Sequence, residues 1–201
     1  MSQLVDISAV KELYVLWAKI YPHLAEQVVS ILPKGARTLL ELGPFSGGIG
    51  FELAKTRKDY VIVIADSRGE ILDHLTHKAR ALNLLGQIRL VRTDLSTLEF
   101  GSAEFDGVVF RGAFFFLDES MLKEIYRVLK PGAIGFVGGG FGVSTPRNLI
   151  DEIASESRKL NSRLGKKWIS RIQLEEMVVE AALERCSRII EEGGLWLILE
   201  K

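Results

Sequence analysis

Two hundred and one residues, 47% hydrophobic and 26% charged, describe one ordinary globular domain with a sizeable core and little room for a second. Basic and acidic residues number 26 each, so no global field draws the chain onto nucleic acid or an anionic membrane. The one cysteine, Cys186, excludes an internal disulfide framework; the N-terminus lacks a basic signal and no apolar run is long enough to span a bilayer, so a cytoplasmic setting is expected.

Helical spacing runs from about Ile7 to Leu32, with Val10, Leu13, Leu16 and Trp17 on one stripe and Leu24, Val28, Ile31 and Leu32 on another, broken at Tyr21-Pro22. After the turn Pro33-Lys-Gly35, Leu39, Leu40 and Leu42 form a short apolar run, as expected of a parallel strand buried on both faces. Glu41 sits at the end of that strand. The glycines Gly43, Gly47, Gly48 and Gly50 then let backbone amides approach a ligand where a helix begins, and that helix runs to about Arg57. This is the form of a nucleotide or cofactor site.

Other phosphate and catalytic turns fit poorly. In the dinucleotide fingerprint the second glycine would fall at Phe45 and the third at Gly48; no Lys-Ser or Lys-Thr follows Gly50, and Ser46 stands directly before Gly47, so neither a Walker loop nor a nucleophile elbow is present.

Tyr60 to Ala65 is a β-branched run ending at Asp66, and Ser67-Arg-Gly-Glu70 has capping-box spacing for a helix to about Leu85. Ile88 to Val91 is a third strand ending near Asp94. Three strands therefore each end at an acid, and ligands of open α/β sheets lie outside the carboxyl ends of the strands. Phe105 to Phe110 is a fourth strand, Asp118 starts a helix that stops at Lys130-Pro-Gly132, and Ala133 to Val137 is a fifth strand. It runs into Gly138 to Gly142, expected to be a mobile loop at the ligand edge. Ser144 or Thr145 caps a helix from Pro146 to about Leu160, and another runs from about Gln173 to Leu183. Arg185 to Glu191 and Leu195 to Glu200 read as strands joined at Gly193-Gly194, which ends the sheet antiparallel. Cys186 is expected within the first of them as a small apolar residue.

Together these pieces resemble a class I S-adenosylmethionine-dependent methyltransferase over roughly residues 22 to 201. Leu39 to Gly47 resembles the family's first motif, Ile64-Ala-Asp-Ser67 its second, Arg92-Thr-Asp-Leu95 its adenine-side acid and Phe105 to Phe110 its fourth-strand motif. Leu122-Lys-Glu-Ile-Tyr-Arg-Val-Leu-Lys-Pro-Gly132 is the sharpest match. The resemblance implies an α/β, Rossmann-like, doubly wound sheet of seven strands in order 3-2-1-4-5-7-6, mostly parallel with an antiparallel last strand. It implies a single methyltransferase domain over 1–201: helices of 1–33 covering the acceptor side, a cofactor-binding core at 34–140, and C-terminal helices and a hairpin at 141–201.

The implied cofactor is S-adenosylmethionine and the implied acceptor a small molecule. Gly43, Pro44, Phe45 and Gly47 would border the methionine part, with Glu41 near its ammonium and sulfonium. Asp66, beside Ser67, would accept from the ribose hydroxyls. Asp94 would accept from the adenine amine over Leu95, and Phe110 and Arg111 would border the methyl. Phe45 replaces the family's middle glycine, which keeps a non-catalytic binder of the cofactor as the alternative, with an NAD-dependent oxidoreductase behind it. No catalytic base is identified.

Tyr14, Trp17, His23, Arg111, Phe114 and Phe115 are candidate acceptor contacts. Trp17 also reads as core, Arg111 as an anion anchor or a surface ion pair, and Phe114 to Phe116 as packing under the next helix. His74 and His77 read as surface residues, so no metal is expected. The basic run Arg158, Lys159, Arg163, Lys166, Lys167 and Arg171 reads as a solvated face balanced by Glu175, Glu176, Glu180 and Glu184, with RNA, a phosphorylated metabolite or a partner as the sharper alternative.

Overall fold

The computed structural model describes residues 7–43, 46–165 and 169–201, with the backbone alone at position 115. Pro44, Phe45, Lys166, Lys167 and the Phe115 side chain thus lie outside the described residues.

Helices α1 (Ile7–Leu16) and α2 (Tyr21–Ile31) precede β1 (Thr38–Leu42), α3 (Gly48–Thr56), β2 (Val61–Asp66), α4 (Gly69–Ala81) and β3 (Ile88–Arg92). The chain continues through β4 (Phe105–Arg111), α5 (Glu119–Val128), β5 (Leu129–Gly140), α6 (Arg147–Arg163), α7 (Arg171–Glu180), β6 (Ser187–Ile190) and β7 (Gly194–Glu200). The strands form one sheet in the order β3-β2-β1-β4-β5-β7-β6, with β7 antiparallel to both neighbours and the first five parallel.

Side chains alternate across a strand, and here both faces are covered. Leu39, Ile62, Ile64, Val109, Phe136 and Ile198 enter one core with α1, α2, α3, α4 and α6. Leu40, Val63, Val108, Phe110, Val137 and Leu197 enter the other with α5 and α7. Each such side chain contributes roughly 1.5–3 kcal/mol by leaving water. That is why the strands read as unbroken apolar runs.

The Lys130-Pro-Gly stretch serves the far end of the sheet. Lys130 Nζ donates to Asp106 Oδ1 at 2.8 Å and to Thr38 Oγ1 at 3.1 Å, while Asp106 Oδ2 accepts from the amides of Arg37 and Thr38 at 2.9 and 2.8 Å. Burial opposes ionisation of Asp106, but Lys130 and these amides outweigh it and hold the carboxyl well below its usual range. The starts of β1, β4 and β5 are pinned together.

Several sequence expectations need correction. Gly138 to Gly140 are not a loop but the end of β5, paired with Trp196, Leu195 and Gly194 of β7. A Cβ on Gly138 would lie 2.3 Å from the Leu195 carbonyl oxygen, so glycine there permits close strand packing. Strand β5 also begins four residues early, at Leu129, with a register shift against β4.

No Ser67 capping box forms, because Asp66 takes the Arg68 amide and Arg68 occupies the cap position; α4 ends at Ala81, with Asn83 in the left-handed region. Pro146, rather than Ser144 or Thr145, precedes α6. The Ser144 hydroxyl donates to the His23 carbonyl, and Thr145 bonds its own turn at Phe141. Helix α7 starts at Arg171 because Ser170 and Gln173 make a capping box that the sequence reading missed. Cys186 lies in a 3-10 turn before β6, where its sulfur accepts from the Tyr126 hydroxyl at 3.4 Å. No helix of the described residues is long and apolar enough to cross a membrane.

Candidate functional site

Strand register puts the key residues in one row. Glu41 pairs with Ile64 on β2 and Val109 on β4, so Asp66 and Arg111 each lie two residues further on the same face, level with Gly43. All face the side covered by α1 and α2.

Asp66 is fully buried. Its Oδ1 accepts from the Arg68 amide at 2.9 Å and from Arg68 Nε at 3.4 Å, while Oδ2 is buried with no partner. Burial raises its pKa, and the Arg68 charge and hydrogen bonds act against that rise. Beside it Ser67, Arg92, Thr93, Asp94 and Glu99 line a cleft of about 340 Å³. Asp94 is exposed and accepts from the Ser96 amide at 2.8 Å, and Leu95 is buried below.

Glu41 turns toward the start of α3. Its two oxygens accept from the amides of Ile49 at 3.2 Å and Gly50 at 2.6 Å, so it satisfies helix N-terminal donors that would otherwise be orphaned. Burial nevertheless pushes its carboxyl up to about 7. Gly47 has a φ of 95°, in the left-handed region, and a Cβ on Gly48 would lie 2.1 Å from the Tyr21 ring. The protein's own side chains therefore demand part of this glycine pattern. Phe110 points into the opposite core, packed with α5.

Helix α1 covers this turn. The buried Tyr14 hydroxyl donates to the Ser46 carbonyl, and the ring lies 6.1 Å from that of His74. Burial pushes the Tyr14 hydroxyl well above its usual pKa, and moves Tyr21 up to about 12. The Tyr21 hydroxyl and Ser46 Oγ are buried without partners.

On the other side of Arg111 lies a cavity of about 370 Å³, bounded by α1, α6, the end of β5 and the β6–β7 hairpin. Trp17, Arg111 and Phe114, all candidates from the sequence, line it. The Trp17 ring stacks on Phe141 at 4.8 Å and its Nε1 donates to Ser157 Oγ at 3.0 Å. His23 and Tyr14 do not line it; His23 is half-buried at the start of α2. Phe116 is exposed at 36%.

Ser157, Asn161 and the hairpin glycines Gly193 and Gly194 complete the wall and were not anticipated. The serine within the buried stripe Ile153, Ser157, Leu160 was the available signal. The basic run is balanced differently than expected: Lys159 pairs with Glu156, Arg163 with Glu12, and Arg171 with Glu175 and Glu191. Of the four acids expected to do this, only Glu175 appears in those pairs.

A family profile described as a methyltransferase domain matches residues 39–132, from β1 through the Lys-Pro-Gly stretch. A protein of Methanococcus maripaludis, inferred to be an S-adenosyl-L-methionine-dependent methyltransferase, is 26% identical with a TM-score of 0.83, over 100% of this chain and 95% of that one. Residues 39–132 carry a methyltransferase domain, and over its whole length the chain is similar to an S-adenosylmethionine-dependent methyltransferase. The fold is shared with an S-adenosylmethionine-dependent methyltransferase of Aquifex aeolicus (17% identity, TM-score 0.68, 96% of each chain). It is also shared with the geranyl diphosphate C-methyltransferase of Streptomyces coelicolor (13%, 0.62, 88% of this chain and 76% of that one). No curated protein sequence matches.

S-Adenosylmethionine is the cofactor of this methyltransferase, and its residues suit that ligand. The orphaned, buried Oδ2 of Asp66 is an acceptor waiting for a hydroxyl donor, as a ribose provides. Gly43 leaves its space to that carboxylate.

Proposed function

We propose that this methyltransferase acts on a small-molecule acceptor held in the cavity between α1, α6 and the hairpin. The observation that carries the reading is Arg111, which lines that cavity and stands in one row with Gly43 and Asp66. The two ligands would meet across one strand-end residue.

When bound, S-adenosylmethionine supplies a methyl group already activated by the sulfonium, so an in-line displacement asks the protein mainly for positioning and exclusion of water. Asp66 would fix the ribose, Gly43 would allow close approach, and Asp94 would border the adenine. Trp17, Phe114 and Phe141 would keep the acceptor dry and oriented. No carboxylate or imidazole lines the cavity among the described residues. An acceptor atom whose lone pair is already free suits that lining best.

The test is calorimetric titration with S-adenosylmethionine, its demethylated product and NAD, followed by a labelled-methyl acceptor screen. Binding of the first two with transfer to a small molecule is expected. Binding of NAD alone would overturn the reading, and cofactor binding without transfer to any acceptor would favour a non-catalytic binder.

A further inference from the structure

The arginine at the junction of the two sites lacks the partner that its burial demands. Arg111 is only 6% exposed, yet its Nε and Nη1 are buried without any hydrogen-bond partner, and no ion pair involves it among the described residues. Its guanidinium lies 3.7 Å from the centre of the Trp17 ring and 5.5 Å from that of Tyr21. A ring face offsets part of the cost of desolvating a cation but accepts no N–H bonds. The acids of the same sheet edge hydrogen-bond elsewhere, Glu41 to the α3 amides and Asp66 through Oδ1 to Arg68, so Glu41 reaches Arg111 only as a nearby charge and neither accepts from its N–H groups.

The cavity beside Arg111 has the complementary character. Arg158 joins Arg111 in its wall, and among the described residues no aspartate or glutamate does, the remaining side chains being aromatic, aliphatic or neutral polar. Unlike its neighbours Lys159 and Arg163, Arg158 makes no ion pair among the described residues. Two arginines without a carboxylate, at the edge of an otherwise apolar room, form a receptor for one negative group on a small apolar body. A guanidinium fork matches a carboxylate or a phosphate equally in shape.

We propose that the methyl acceptor is a small organic anion, its carboxylate or phosphate held by Arg111 with Arg158 adding charge at the rim, its apolar part against Trp17, Phe114 and Phe141. This rests on the transfer reading above and narrows it to a substrate class.

The experiment titrates four probes of one chain length, octanoate, octyl phosphate, octan-1-ol and octylamine, into protein saturated with S-adenosylhomocysteine. At least one anion should bind about tenfold tighter than the alcohol and the amine. The tighter anion assigns carboxylate or phosphate. Arg111→Met should remove that preference. Because a buried arginine can matter for folding, Arg158→Glu repeats the test from the exposed rim and should weaken only the anions.

Equal binding of alcohol and anions by the unaltered protein would overturn the proposal, as would retained preference in both variants. So would loss of S-adenosylhomocysteine binding in Arg111→Met with octanoate unaffected, since Arg111 would then belong to the cofactor. If the unaltered protein fails to bind S-adenosylhomocysteine, the transfer reading falls, and the four titrations repeated without it still decide what the cavity takes.

Discussion

A side-chain carbon placed on Gly43 would lie 2.0 Å from Oδ2 of Asp66. The glycine after β1 is thus required by the acid after β2, quite apart from any ligand. Gly43→Ala alone is expected to cost about 2–3 kcal/mol through overpacking. In an Asp66→Ala background, where that oxygen is gone, the same change should cost less than half as much. Thermal unfolding of the four proteins measures the coupling, and additive losses would contradict the contact.

Asp66 itself should report on the cofactor. Its unpartnered Oδ2 sits at the sheet edge, so Asp66→Ala should weaken S-adenosylmethionine binding by about tenfold or more, and Asp66→Asn by less. Calorimetric affinities unchanged in both would remove Asp66 from the site.

Glu41 gives a pH signature. Burial lifts its carboxyl from an ordinary 4.5 to about 7 despite the Gly50, Ile49 and Gly47 amides that favour the charged form. The folded chain therefore holds this proton more tightly than the unfolded chain. The resulting stabilisation is full below the unfolded value and is lost as pH rises through about 7. It amounts to about 3 kcal/mol, on the order of 5–10 °C in Tm. Glu41→Gln should flatten the decline of Tm between acid and neutral pH, and a decline of unchanged steepness in the variant would assign it to other groups.

Lys130→Met tests the far end of the sheet. Lys130 is partly exposed, so its loss should cost only about 1 kcal/mol, or roughly 2–4 °C in Tm. Asp106 titrates below its usual range, so the difference should be full at neutral pH and shrink as strong acid protonates it. Cofactor affinity should not change. A fall in affinity would mean that this cluster communicates with the opposite edge.

The strands and the three strand-end acids were legible because buried parallel strands are written as contiguous apolar runs with an acid near the end of each, whereas the order of the strands came only from the family resemblance. Local chemistry was legible only in part. Asp118 caps α5 as expected, accepting from the Met121 amide at 2.8 Å, whereas Gly138 to Gly140 looked like a loop because their β7 partner lies more than fifty residues later. Glu41 and Asp66 stand out from sequence as site acids. That Glu41 would turn to the α3 amides depends on a helix start that only the folded chain presents. The cavity wall escaped notice for the same reason: Ser157, Asn161 and the hairpin glycines belong to elements with no motif of their own.

Helix α1 is held at two places by residues within one turn of each other. Tyr14 holds the Ser46 carbonyl at the glycine-rich turn, while Leu13 and Trp17 wall the cavity on the far side of Arg111. A shift of the helix that relaxes one grip disturbs the other, so on the proposed reading of the two sites their ligands should be coupled. Thermodynamic reciprocity then applies: whatever factor the acceptor imposes on the affinity for S-adenosylmethionine, S-adenosylmethionine imposes on the acceptor.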